Sequence, residues 1–123
     1  MNLIDKSVAN KLLGFPDDAR LLIVNADDFG MCHATNTGIF RAFQNGIVQS
    51  TTVMTPCPWA LHALHLLKEN PDISFGVHLT LICETVNYKW SPLTSSEKVP
   101  SLVDEAGYCF SMDRMSEFLA VAR

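Results

Sequence analysis

Leu21-Leu22-Ile23-Val24-Asn25-Ala26, followed at once by Asp27-Asp28-Phe29-Gly30, is the stretch on which the fold of this chain turns. A run that is apolar except for Asn25 fits a strand buried on both faces, as in a parallel sheet. The acidic pair and the glycine then end it. Downstream, the Val-, Thr- and Ser-rich segment Ile47 to Met54 predicts a second strand, and Ile73 to Leu81 predicts a third. Two amphipathic segments lie between them. The first starts from Thr35 or Asn36 as N-cap, carries Ile39, Phe40 and Phe43 at helical spacing, and stops at Asn45-Gly46. The second is opened by Pro56 and Pro58, shows Ala60, Leu61, Leu64 and Leu67 as one stripe, and closes at Asn70-Pro71.

Strands alternating with helices in this way are βαβαβ over residues 21–81, and right-handed crossovers then make the sheet parallel with the helices packed outside it. The fold class is α/β. Before this unit, residues 1–20 place Leu3, Ile4, Val8, Leu12 and Leu13 at loosely helical spacing until Gly14, Phe15 and Pro16 break it, so a short preceding helix is expected. After it, residues 82–110 carry Pro92 and Pro100 and read as a long irregular excursion with a small hairpin around Glu105-Ala106-Gly107. Residues 111–123 restart a helix, with Met112, Met115, Phe118, Leu119 and Ala122 on one side. The whole of 1–123 reads as a single domain. Its open sheet should expose an apolar edge and face, so self-association as a homo-oligomer, or further chain, is expected.

Composition narrows the function. The chain has 123 residues, 48% of them hydrophobic, which is enough for a real core. Its 9 basic and 13 acidic residues form no blocks of either sign, so neither a nucleic-acid nor an anionic-membrane partner is indicated. No apolar run approaches the roughly 20 residues of a membrane helix, and the opening Met1-Asn2-Leu3-Ile4-Asp5-Lys6 lacks a signal peptide's regions, which points to the cytoplasm. Cys32, Cys57, Cys83 and Cys109 show no paired spacing and are read as free, partly buried thiols.

The chemistry gathers at the strand ends. Asp27 and Asp28 sit at the C-terminal end of the first strand, where parallel α/β folds build their sites. Adjacent carboxylates repel unless a cation or hydrogen bonds hold them, although an Asp-Asp-x-Gly turn with a capping Asp is the plainer alternative. In Ser74-Phe75-Gly76-Val77-His78-Leu79-Thr80-Leu81, alternation puts Phe75, Val77, Leu79 and Leu81 on one face and Gly76, His78 and Thr80 on the other. An aspartate at the top of strand one and an imidazole on strand three are within reach across one intervening strand. Such a pair suits zinc, manganese or iron, and magnesium if water completes the shell. Adjacent strand residues face opposite ways, so one of the two aspartates can bind metal while the other acts as a base. The same adjacency fits poorly with a glycosidase, whose carboxyl groups must flank one bond at about 5 to 9.5 Å. His33, in the loop after the pair, and Trp59, whose ring can stack on a sugar, are candidate substrate contacts. His62 and His65 read as packed or solvent-facing; Trp90 is a second ring that can stack on a sugar, and Trp59, following Pro58, reads equally well as core. No G-x-S-x-G elbow, Walker loop or dinucleotide glycine pattern occurs.

Taken together, Asn25-Ala26-Asp27-Asp28-Phe29-Gly30, Gly38-Ile39 with Ala42-Phe43, Gly76-Val77-His78-Leu79-Thr80-Leu81 and Val99-Pro100-Ser101-Leu102-Val103-Asp104 resemble the YdjC-like carbohydrate deacetylases, which include chitooligosaccharide deacetylases. The resemblance spans about residues 21–110. It implies a (β/α) barrel of the polysaccharide-deacetylase type, acting on N-acetylated oligosaccharides or amino sugars through a divalent metal, Mg2+ or Zn2+. On this chain it places metal ligands at Asp28 and His78 and the general base at Asp27. The family's third metal ligand comes from a downstream Asp-x-His-x-His-like segment that is absent here, and such barrels take roughly 200 to 250 residues or more. The chain is therefore expected to be the N-terminal portion of the barrel. A half-barrel that self-associates without binding metal is the alternative. A receiver-like signalling domain fits less well, since its third strand should end in an aspartate where this one offers His78 and Thr80.

Overall fold

The computed structural model describes residues 6–121. The order of elements is α1 (Lys6–Leu12), β1 (Asn25–Phe29), α2 (His33–Asn45), β2 (Ser50–Val53), α3 (Ala60–Glu69), β3 (Ser74–Val77) and α4 (Met115–Val121), with short 3-10 turns at Ser96–Lys98, Pro100–Leu102 and Met112–Arg114. The three strands form one sheet in the order β1-β2-β3, and both pairings are parallel. This is the βαβαβ arrangement expected from the alternation of patterns. Leu3, Ile4 and Ala122 of the expected terminal helices lie outside the described residues.

Both helices of the unit pack on one face of the sheet. Phe29, Ile39, Val53, Ala63 and Leu67 form the buried core, with Ala26, Phe43, Leu66 and Ile73 against it. Each large apolar side chain taken from water there stabilises the fold by about 1.5 to 3 kcal/mol. The stripe of α3 is turned from the expected one: Ala60, Ala63 and Leu67 are buried, while Leu61 and Leu64 face solvent. The start of α2 also differs. Cys32 is the N-cap, without a side-chain cap bond, and Asn36 sits inside the helix and is fully buried.

β1 begins later than its apolar run suggests. Leu21, Leu22 and Ile23 are exposed, and pairing starts where β2 offers a partner, with the Gln49 amide donating to the Val24 carbonyl and Asn25 opposite Ser50. β1 is thus not buried on both faces, because among the described residues no second layer covers its polar side. β3 is shorter than Ile73 to Leu81 for the same reason: beyond the bond from the His78 amide to the Val53 carbonyl, β2 has ended.

Residues after β3 fold into a second core of Met54, Cys57, Cys83, Trp90 and Cys109. Trp90 is therefore a core residue. The expected hairpin is present: Val103 and Cys109 pair antiparallel, and Asp104 accepts through Oδ1 from the amides of Ala106 and Tyr108, both at 3.0 Å. All four cysteines are free, Cys32 partly exposed and the other three buried. No described helix is long and apolar enough to cross a membrane.

Candidate metal centre and active site

The register of β1 against β2 puts the acidic pair where a site can form. Ala26 pairs with Thr51 and Phe29 with Val53, so Asp27 and Asp28 together stand opposite the single residue Thr52. Two residues facing one is a β-bulge, which bends the strand and re-aims a side chain. The turn is taken at Asp28, whose φ of 68° lies in the left-handed region. Aspartate enters that region at lower cost than most side chains because its short polar group bonds locally.

The bulge alters one expectation. In an unbroken strand Asp27 and Asp28 would point to opposite faces. Here both reach the polar face that carries Ser50, Thr52 and His78. Asp27 accepts through Oδ1 from Asn25 Nδ2 at 2.7 Å and from Thr52 Oγ1 at 2.8 Å. Asn25 in turn accepts from Ser50 Oγ at 2.6 Å. Thr52 Oγ1 also lies 3.3 Å from His78 Nδ1. The two aspartates nonetheless have different partners, so the separation of parts survives by another route.

Asp28 Oδ1 stands 3.6 Å from His78 Nδ1, and the two side chains are 31% and 23% exposed. That is too long for a hydrogen bond. It is close to the separation of about 3.4 Å between two donors each about 2.1 Å from one cation at a tetrahedral angle. A carboxylate oxygen beside an imidazole nitrogen is also a donor set that borderline divalent cations accept. The residues thus fit a divalent metal.

A third side chain, which the motifs did not single out, joins the pair. Donor atoms of Asp28, His78 and Glu84 all lie within 4.8 Å of one another. Buried next to them, the Cys57 thiol is pushed up to about 12, by burial first and then by negative charge on Cys83, Asp28, Cys109 and Glu84. With no cation bound it stays protonated.

The substrate candidates sit at the same end of the sheet. The Trp59 amide donates to the Gly30 carbonyl at 3.1 Å, joining the loop after β1 to the loop after β2. The His33 and Trp59 rings are 4.9 Å apart, and His62 lies 5.5 Å from each. Trp59 is 40% exposed and His33 is exposed, whereas His62 is held from below by Asn36. His65 is exposed.

The chain is similar to several curated proteins. A carbohydrate deacetylase of Thermoanaerobacter pseudethanolicus is 45% identical over 89 residues, covering 72% of this chain and 33% of that protein. One from Geobacillus stearothermophilus is 44% identical over 104 residues, covering 85% and 38%. A chitooligosaccharide deacetylase of Yersinia enterocolitica is 47% identical over 88 residues, covering 72% and 31%. The chain spans about a third of the length of these curated relatives. Among solved structures, an Enterococcus faecalis V583 protein described as a cellobiose-phosphate cleavage protein superposes with a TM-score of 0.68 at 34% identity, over 82% of this chain and 44% of that one. The family model described as YdjC-like protein matches residues 21–123, and the chain belongs to that family.

Proposed function

We propose that this chain carries the first part of the active site of a metal-dependent hydrolase that removes N-acetyl groups from amino-sugar oligosaccharides. The observation that carries the reading is the bulge that brings Asp27, Asp28 and His78 to one polar face at the strand ends. Asp28 and His78 hold the cation. When bound, a divalent cation polarises an acyl oxygen and acidifies water. The donor separation and the imidazole nitrogen favour zinc over magnesium, which prefers an all-oxygen shell.

Asp27 is the general base. Both of its protein donors converge on Oδ1, and Oδ2 is free to take a proton among the described residues. Asn25 and Thr52 hold the carboxylate in one orientation, which a base needs before its basicity matters. Trp59, with His33 against it, offers an aromatic face for a sugar ring. Acetate release from a chitooligosaccharide, with added zinc, tests the reading. Release that is lost in Asp27→Asn supports it. Release that is unchanged in Asp27→Asn, or a chain that binds no zinc, refutes it.

One observation favours a second reading. Phe75, Val77, Leu79 and Leu81 are exposed along β3 and its continuation, beside an apolar groove that also takes in Pro92 and Leu93. A strip of this kind suits association of chains into a homo-oligomer. Light scattering that shows a dimer, together with no bound metal, would select the self-associating, metal-free form.

A further inference from the structure

Three rings meet where α2 and α3 begin. His33 is the first residue of α2, Trp59 is the residue before α3, and His62 lies in the first turn of α3. In a parallel sheet each helix starts at the C-terminal end of the strand before it, so topology puts these rings at the same end of the sheet as Asp27, Asp28 and His78. The Trp59 and His62 planes stand at 89° with centroids 5.5 Å apart, and His33 lies 4.9 Å from Trp59 at 60°. We infer that His62 is a substrate-binding residue that selects N-acetylated sugars, its Nε2–H donating to the acetamido oxygen of a sugar unit stacked on Trp59. The inference rests on the amino-sugar reading proposed above.

Asn36, which is fully buried, places the proton. Its Oδ1 is taken by the Gly30 amide at 2.6 Å, so its nitrogen, 3.0 Å from Nδ1 of His62, is what faces the imidazole. An amide nitrogen only donates, which makes Nδ1 the bare acceptor and puts the ring proton on Nε2. No described residue bonds Nε2. Among the described residues, the buried side-chain nitrogen left without a partner is Trp90 Nε1, so Nε2 of His62 meets solvent. His62 thus presents one fixed donor beside Trp59, which is itself exposed. His65, three residues further along α3, is exposed and has no such partner to set its tautomer.

An edge that can only donate selects for an acceptor. On an N-acetylated sugar the amide oxygen is a stronger acceptor than any hydroxyl, while the C–H face of the ring packs on an indole. A sugar with a hydroxyl in place of the acetamido group keeps the stacking and loses the better acceptor. A site that aims a fixed donor at that group therefore discriminates against the analogue lacking it. His33, exposed and with no described partner to fix its ring nitrogens, adds a ring to the corner rather than a set donor.

NMR titration of the whole chain with N,N′-diacetylchitobiose and with cellobiose, which carries hydroxyls where the first has acetamido groups, tests the assignment. A chelator is present, so that no cation engages the acetyl group. The unmodified chain should bind the acetylated sugar roughly 3- to 10-fold more tightly than cellobiose, and the Nε2 resonance of His62 should move with the acetylated sugar alone. His62→Phe keeps a ring against Trp59 and should bring the two sugars to equal affinity, whereas Trp59→Ala should weaken both. Since His62→Phe also leaves the Asn36 amide short of a partner, circular dichroism checks its fold, and the Nε2 shift of the unmodified chain is an independent reading. A preference retained in His62→Phe, or an Nε2 resonance that the two sugars move alike or not at all, would overturn the role of His62 and leave the deacetylase reading in place. Binding of neither sugar would also overturn it, and binding of neither once zinc is restored would overturn the deacetylase reading as well.

Discussion

The side-chain amide of Asn36 donates to Nδ1 of His62 across 3.0 Å, and its other partners fix which way round that amide sits. Oδ1 accepts from the Gly30 amide at 2.6 Å, which can only donate, and Nδ2 donates to the Trp59 carbonyl at 3.1 Å, which can only accept. The second Nδ2 hydrogen therefore points at His62, whose Nδ1 must be the bare acceptor and whose proton sits on Nε2. One buried side chain thus ties the turn after Asp28 to the start of α3 and orients the aromatic corner formed by His33, Trp59 and His62.

Asn36→Ala should lower stability by about 2 to 4 kcal/mol, because it strands the buried Gly30 amide and the Trp59 carbonyl, at about 1 to 3 kcal/mol for each unsatisfied group. Urea denaturation measures this, and long-range nitrogen-proton NMR of the imidazole reads the tautomer. A loss below about 1 kcal/mol, or a proton found on Nδ1 of His62, would show that the network is not as described.

Much of this was legible in the residues, and the failures share a cause. The alternation of strand and helix patterns predicts the parallel sheet, and the polar side of Gly76-Val77-His78 predicts that His78 faces the site. Periodicity cannot show a bulge, so it wrongly sends Asp27 and Asp28 to opposite faces; only pairing with Thr52 reveals that two residues stand against one. Nor can it show that Leu21 to Ile23 lack a neighbour to bury them. Asn36 reads as a cap because Asn is a common N-cap, yet its amide is spent on Gly30 and Trp59, contacts that exist only once α3 has docked. Glu84 belongs to no motif, and only the burial of Cys83 returns it to the strand ends.

Gly30 has no tolerable replacement. Its φ is +104°, and a Cβ there would lie 3.0 Å from Ala60 Cα and 3.2 Å from the Met54 carbonyl oxygen, both backbone. Gly14 has φ +79° with nothing within 4 Å. Left-handed backbone costs a non-glycine residue about 1 to 2 kcal/mol, so Gly14→Ala should lose about 1 kcal/mol. Gly30→Ala should lose about 3 kcal/mol or more, because α3 must also move. Equal losses in denaturant melts would mean that the approach of α3 to the β1 turn is looser than these distances indicate.

Of the four cysteines, one should react quickly with an aromatic disulfide reagent. Cys32 is partly exposed, and its thiol is lowered from the ordinary value, chiefly by the Thr35 hydroxyl 3.2 Å from Sγ. Burial pushes Cys57 up to about 12 and Cys109 up to about 11, and it raises Cys83 as well. Since the thiolate is the nucleophile, the native chain should release about one fast equivalent of chromophore at neutral pH and the denatured chain the remainder. Cys32→Ser should abolish the fast phase, and a surviving fast phase would place an accessible thiolate elsewhere.

Arg114 joins the hairpin tip to the final helix. Its Nη1 and Nη2 each donate to one oxygen of the Glu105 carboxylate at 3.0 Å, while Nε donates to Glu117 at 2.9 Å. These hydrogen bonds from Arg114 hold the Glu105 carboxyl down to about 2. A folded-state value below the unfolded one of about 4.3 means that the pair favours the fold at and above ordinary glutamate pH, and that this contribution fades as pH falls toward about 2. Both carboxylates are solvent-exposed, so salt screens the effect. Arg114→Lys keeps the charge but loses the two-pronged geometry. Carbon NMR titration of the Glu105 carboxyl should therefore show its midpoint moving up toward the ordinary range in Arg114→Lys, and also in the unmodified chain at high salt. A midpoint unmoved by the substitution would mean that charge alone, rather than the fork, holds this carboxyl ionised.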